Sequence, residues 1–326
     1  MRSFFLSNFL ILSAFVAKAE PIPGNVPRLE MGEQAIALKR GDATIFHYNI
    51  KPTEEAAEVE PFFSRTGYIH PLMAPSGAIV TGDYAPDHRH QHGLFFAWTK
   101  SKFRGEATEF WNQKRELGDV RFVRFHGSGR REGKFWFEVE HHFTSGKDSD
   151  EAILSEIWKI EVPQESSQFH SFDITSTQRC ATDDPLSIEK YHYGGMAIRG
   201  TGQWMPPSES APPVGKMVTS EGKSREDGNH SRPRWVVMHG PVDGEECGVA
   251  VLAHPDNFRA PQWVRLHPVM PYFVFAPMVE EPFEIRPEEA YISRFRYLVF
   301  DGKPDLEVIE SQWNDFAGVE VTPKAE

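Results

Sequence analysis

Residues 134–143 read KFWFEVEHHF. Phe135, Phe137, Val139 and Phe143 fall on one face, with His141 among them, while Trp136, Glu138, Glu140 and His142 fall on the other. This period of two marks a half-buried strand. Residues 153–162 place Leu154, Trp158, Ile160 and Val162 on one face. Residues 291–300 place Tyr291, Phe295, Tyr297 and Val299 on one face, with Arg294 and Arg296 opposite. Shorter apolar runs predict further strands at 35–39, 44–50, 120–125, 169–176, 196–199, 235–238, 248–253 and 272–275. Turn residues separate them at Gly127-Ser128-Gly129, at Ser145-Gly146-Lys147-Asp148, at Asp243-Gly244 and at Asp301-Gly302. Many strands and few helices predict an all-β fold, a large antiparallel β-sandwich.

One stretch breaks the period. Leu306, Ile309, Trp313 and Phe316 recur at helical spacing, Pro304 suits a first helical position, and Gly318 stops the run. We read a C-terminal helix packed on the sandwich, with a partner-binding helix as the alternative. Residues 205–233 hold Pro206-Pro207, Pro212-Pro213, several serines and mixed charges, and read as a long loop. No fixed-period repeat is present, and residues 20–326 read as one sandwich domain.

Composition narrows the function. The 326 residues carry a formal charge of −12, which argues against a nucleic-acid partner needing a broad basic face. Twenty-five Phe and eight Trp supply ample core. At the N-terminus, Arg2 precedes an apolar run from Phe4 to Val16 and the small-x-small triplet Ala17-Lys18-Ala19. This is the layout of a secretory signal peptide over residues 1–19, and it predicts export to the periplasm or beyond. No later segment is long and apolar enough to span a membrane. Cys180 and Cys247 would be free to pair in an oxidising compartment or to stay as separate thiols. Nothing in the sequence fixes an oligomeric state.

Three of the fourteen histidines fall in DHRHQHG, as His88, His90 and His92 beside Asp87. On an extended strand the i, i+2, i+4 spacing puts all three imidazoles on one face, where they can bind a divalent metal ion. Asp87, Glu109 or a distant histidine would complete such a set. If the segment bends instead, an acid/base site or a structural polar loop remains. Other polar groups recur near predicted strand ends. They are Glu109 with Trp111 and Asn112, His192 before Gly194-Gly195, Arg199, His254, and the alternating Trp263, Arg265 and His267. Dinucleotide, P-loop, GxSxG and HExxH motifs are all missing.

The string RTGYIHPLMAPSGAIVTGDYAPDHRHQHGLFFAW, residues 65–98, resembles the signature of an exported bacterial family labelled PmoA-like. His70-Pro71-Leu72, Val80-Thr81, Asp87-His88, His92-Gly93-Leu94 and Phe110-Trp111 carry the likeness. So do residues 194–200, 235–244, 249–268 and 292–302. Gln91 and Gly82 depart from it, standing where His and Arg are common. The resemblance implies a large β-sandwich of the galactose-mutarotase type and a setting in carbohydrate use. Methane oxidation, which the family label evokes, is not implied for a chain without membrane helices after its leader.

Together these readings predict an exported carbohydrate-active enzyme, a hydrolase, lyase or epimerase with histidine acid/base chemistry. A non-catalytic glycan-binding protein is the alternative. His88, His92 and His192 are the candidates for proton transfer, with His254 in reserve. Glu109 would be a carboxylate partner, and Arg199 would hold a substrate carboxylate or polarise a carbonyl. Trp111, Trp263, Arg265 and His267 would bind the sugar. The sites should meet where the DHRHQHG loop, the 191–199 segment and the 254–267 segment converge, between walls of Trp111 and Trp263.

Overall fold

The computed structural model describes residues 25–147, 149–163 and 168–319; the leader expected over residues 1–19 lies outside them. Two eight-stranded sheets carry the fold, and every strand pair is antiparallel. The first sheet runs, in spatial order, through Pro27–Met31, Ala35–Arg40, Ala43–Asn49, Tyr68–Leu72, Leu94–Ala97, Gly195–Arg199, Tyr272–Phe275 and Val264–Leu266. The second runs through Lys216–Thr219, Trp235–Val242, Glu245–Ala253, Tyr291–Asp301, His170–Cys180, Ala152–Pro163, Lys134–Thr144 and Asp119–Arg131. A small third sheet joins Phe283–Ile285, Leu186–Ile188, Ser101–Phe103 and Glu106–Thr108. Among the described residues no helix is long and apolar enough to cross a membrane.

The alternating apolar faces seen in the sequence meet between the two large sheets. Phe46 of the first sheet stands edge-on to Phe172 of the second at 5.0 Å, and Phe275 meets Phe295 at 5.5 Å. The predicted large β-sandwich is therefore present, closed by interdigitated rings.

A row of polar side chains crosses this apolar interior. Strand register sets His141 opposite Glu156 and Glu156 opposite Gln178, so all three point between the sheets. His141 Nδ1 donates to Glu156 Oε2 at 2.8 Å, and Ser176 and Gln178 donate to Oε1 at 2.5 and 2.9 Å. The first sheet answers from across the core. The Tyr48 hydroxyl bonds His141 Nε2, and Trp98 Nε1, just past the strand Leu94–Ala97, donates to Gln178 Oε1 at 2.7 Å. His141, Glu156 and Gln178 are completely buried. Burial alone pushes the Glu156 carboxyl up, but the donors from His141, Gln178 and Ser176 outweigh it and hold the group below its ordinary value.

The helix forms over Leu306–Ala317 and packs on the outer face of the second sheet through Ile309, Trp313 and Phe316. Its cap differs from the expectation. Asp305, not Pro304, starts it, by accepting from the N–H groups of Glu307 and Val308. Leu306 is exposed rather than part of the packed face. Gly318 ends the helix at φ 66°, a left-handed stop that glycine tolerates.

Two further expectations fail for identifiable reasons. Gly127-Ser128-Gly129 is not a turn. It lies within the strand Asp119–Arg131, where a bulge between Phe125 and Gly127 absorbs the irregularity, and the chain reverses at Glu132-Gly133. Residues 205–233 are not one long loop. Lys216–Thr219 pairs with the edge of the second sheet, and the buried Arg225 guanidinium donates to the carbonyls of Gly215 and Val269 at 2.6 and 3.0 Å. Cys180 and Cys247 are unpaired.

Replacing Glu156 with Ala should leave His141, Ser176 and Gln178 without their shared acceptor and cost about 3–5 kcal/mol in urea unfolding. The sign of the pH effect also follows. The ionised Glu156 stabilises the fold above its unfolded value near 4.5, and that contribution is lost as pH falls through its lower folded value. Glu156→Gln should therefore flatten the acid limb of stability against pH, read by circular dichroism.

Candidate functional site

The strands Leu94–Ala97, Gly195–Arg199 and Tyr272–Phe275 are buried on both faces, and the edge strand Val264–Leu266 is buried on its inner face, with Arg265 half-buried on the other. Phe273 and Phe275 point inward with Val264 and Leu266. Register then turns Phe95, Ala197, Val274 and Arg265 outward in one row, and Tyr272 and Arg199 outward in the next. Loops cover this outer face, and the candidate site forms between the loops and the sheet.

The first cover is the excursion from Gly82 to Gly93, which holds DHRHQHG. It is closed at its feet: Gly93 N donates to Gly82 O, Gly82 N to Arg199 O, and Arg199 N to Gly93 O, at 2.7–3.0 Å. Only glycine fits at Gly93, since a Cβ there would stand 2.1 Å from the Ile69 carbonyl oxygen. Inside the excursion the backbone turns twice, with His88 N bonded to Ala85 O and Gln91 N to His88 O. The segment is therefore not extended, and the even spacing of its histidines does not put them on one side. His88 and His90 face each other at 5.3 Å, while His92 turns inward and is fully buried between Asp83 Oδ1 at 2.7 Å and Gln113 Oε1 at 3.0 Å. The expected metal trio of His88, His90 and His92 does not converge. Among the described residues no three His, Cys, Asp or Glu side chains gather to hold an ion.

The excursion is anchored by Arg199. Its fully buried guanidinium clasps Asp87 through both oxygens at 2.8 and 2.9 Å and donates to Gln91 Oε1 at 2.9 Å. Burial pushes the Asp87 carboxyl up, but the hydrogen bonds from His88 and Arg199 outweigh this and hold it well below the usual range. Arg199 was expected to bind substrate; already paired and out of reach, it positions the loop instead.

A cavity of about 210 Å³ remains, lined by His88, His90, Gln91, Trp111, Asn112, His192, Tyr193, Arg265, His267, Met270 and Tyr272. His88, His192, Trp111, Arg265 and His267 thus meet as expected. Besides Arg199, four expected members lie elsewhere. His92 is behind the wall. Glu109 is buried, bound to Asn112 and to Arg115 Nη1 at 2.8 Å, and so orients Asn112 rather than facing the cavity. His254 lines a separate hollow with Trp313 and Pro261, its ring edge-on to Phe316. Trp263 carries the Arg232 guanidinium on its ring and bonds Glu280. The second wall is instead Tyr193 and Tyr272, whose rings lie 5.1 and 5.8 Å from Trp111. Tyr272 sat in an apolar run and read as core; its alternation with Phe273 was the available signal.

Two imidazoles are set in opposite states. The Asp87 carboxylate can only accept, so His88 Nδ1 at 3.3 Å carries the hydrogen, and in the neutral ring Nε2 is the nitrogen that keeps a lone pair. His267 Nδ1 accepts from the N–H groups of Val269 and Met270 at 3.2 and 2.9 Å, so its Nε2 carries the hydrogen. The rings are 6.4 Å apart. Burial pushes His267 down to about 4, helped by Arg265, His88, Arg199 and Arg225. Burial likewise takes His90 to about 3, and burial followed by Arg265 lowers His192. The Tyr272 hydroxyl is buried, has no hydrogen-bond partner among the described residues, and burial pushes its pKa well above the ordinary value.

A model of the family described as "Family of unknown function (DUF6807)" matches residues 35–314. No curated protein matches the chain. Among solved structures it is similar to "a putative mutarotase (YeaD) from Salmonella typhimurium", at 7% identity and TM-score 0.38, over 86% of this chain and 94% of that one. It is also similar to a heparan sulfate lyase HepC mutant from Pedobacter heparinus, at 10% identity and TM-score 0.34, over 83% of this chain and 34% of the lyase.

In an NMR titration the His267 ring should stay neutral until pH approaches 4, against 6.5 for a free imidazole. Between those values the unfolded chain takes up a proton that the folded chain refuses, so His267 makes stability fall as pH falls through that window. A His267 titration near 6.5 would show that its cationic surroundings and burial are not as described.

Proposed function

We propose that this chain, which belongs to the DUF6807 family, is an exported carbohydrate-active enzyme that moves protons with neutral imidazoles. The observation that carries the reading is the facing pair of His88, with a bare Nε2, and His267, with an Nε2–H. One is built to accept a proton, the other to donate a hydrogen bond to a developing negative oxygen. Burial keeps His267 uncharged at neutral pH, which preserves that donor role without adding a competing cation.

The walls suit a sugar. Trp111, Tyr193 and Tyr272 offer flat apolar surface for C–H faces, while Asn112, Gln91 and the imidazoles offer donors and acceptors for hydroxyl edges. No Asp or Glu is among the lining residues. That argues against hydrolysis by two facing carboxylates and favours a lyase or epimerase within the class. His192 and His90 complete the rim as binding groups. The apolar run at the N-terminus supports the exported setting.

The purified protein, incubated with a panel of oligosaccharides, should change the mass, linkage or anomeric or epimeric composition of at least one. His88→Ala should lower its turnover by about 10²–10⁴-fold, the usual contribution of a proton-transfer group. His267→Gln should lower kcat more than it raises KM. Binding without turnover across a broad panel would make the pocket a receptor site and overturn the enzymatic reading.

A further inference from the structure

We infer that the sugar this pocket takes carries a carboxylate, and that Arg265 is the residue that pairs with it. The inference rests on the sugar reading above and narrows it. Arg265 lines the cavity, and among the described residues its guanidinium has no hydrogen bond or ion pair. Its neighbours are engaged: Arg199 by Asp87, Arg225 by main-chain carbonyls, Arg232 by the carbonyls of Pro261 and Arg259.

The surroundings of Arg265 are one-sided in charge. The chain has 47 acidic residues against 35 Lys and Arg, yet the cavity is lined by this guanidinium, four imidazoles and no carboxylate. Its field reaches the other lining groups, since Arg265 lowers both His192 and His267. Register places it on the strand beside Tyr272 and on the same outward face, where the buried phenol lacks any partner. A buried hydroxyl left unpaired costs about 1–3 kcal/mol, which an oxygen of a bound ligand would recover. A neutral sugar would satisfy the phenol alone. A carboxylate matches the planar fork of the guanidinium through two parallel hydrogen bonds.

Such pairing also gives the His88–His267 pair its work. With its charge balanced by Arg265, the carboxylate makes the hydrogen on the adjacent carbon more acidic. His88 Nε2 takes that proton, and the C–H electron pair moves into the carboxylate as an enediolate, whose oxygen His267 Nε2–H can hydrogen-bond. The pair then returns to carbon and takes a proton from water on the other face, while His88 gives the proton it removed back to solvent, giving the epimer. Alternatively it forms a C=C bond as the oxygen on the next carbon leaves, taking a proton from water, while His88 releases the proton it removed to solvent. No oxidant or co-reactant is needed.

The test uses the full chain in D₂O with uronate-containing oligosaccharides, the same glycans with each carboxyl reduced to CH₂OH, and neutral glycans bearing sulfate. Mass spectrometry reads turnover and deuterium, and calorimetry reads affinity. The uronates should bind at least about tenfold more tightly than their reduced forms, a difference that Arg265→Ala abolishes and Arg265→Lys partly restores. An epimer should carry deuterium next to the carboxylate, and an eliminated product should absorb in the ultraviolet. Equal handling of uronate and reduced glycan would overturn the carboxylate while leaving a carbohydrate enzyme standing. Sulfated glycans bound as tightly as uronates would remove the choice of carboxylate. Failure of every glycan to bind would end both readings, whereas Arg265-dependent uronate binding without turnover would keep the anion site and end only the enzyme.

Discussion

The contact on which the architecture depends is the buried carboxylate of Glu156, held by three donors from its own sheet and reached through them by two aromatic side chains of the other. An apolar core of Phe, Val and Ile packs at many relative positions of two sheets. A charged group with fixed donors does not, because any slip leaves it unpaired where water cannot reach. Tyr48 lies in the sheet that carries the pocket and Trp98 directly follows one of its strands, so the network sets that sheet in register against its partner. We regard it as the element that specifies one packing among several that hydrophobic burial alone would allow.

The pocket grows from a different requirement. The central strands of the first sheet are apolar on both faces, and their outer face must be covered. Loops rather than helices do this, and a loop cover leaves polar groups that need partners. Asp87 finds Arg199, Glu109 finds Arg115 and Asn112, and His92 finds Asp83. Among the described residues the Arg265 guanidinium and the Tyr272 hydroxyl also stay without a hydrogen-bond partner, on residues that line the space the loops do not fill.

Most of the scaffold was legible as alternation. The long strands around Phe137, Trp158 and Tyr297 were read nearly to their ends, because a sheet with one face on a core repeats its signal every second residue. The same logic failed at DHRHQHG, where even spacing suggested one shared face and two tight turns sent His92 inward. It also passed over Glu156, a charged residue at an inward position of an otherwise apolar strand, which is where a buried network announces itself. His88, His192, Trp111, Arg265 and His267 were found because imidazole, indole and guanidinium near strand ends are chemically conspicuous. Tyr272 and Tyr193 were not, since a tyrosine in an aromatic run looks like core. Glu109 was found but read as a carboxylate partner in the site, and Arg199 as a substrate contact, because sequence does not show that a charged group is already paired.

The excursion between Gly82 and Gly93 is pinned at its two feet and by one guanidinium near its middle, and its tip makes few demands on the sheets below. Closing a loop costs entropy that grows only slowly with its length, and here the closure is made by main-chain bonds that no side chain supplies. Outward residues between the pins, such as Arg89, can therefore be exchanged without being felt in the core, while His92 and Asp83 stay tied into it. In evolutionary terms the fold separates inheritance from innovation: relatives can keep the sandwich and its inner bolt while rewriting the rim, and so come to accept different molecules on the same foundation.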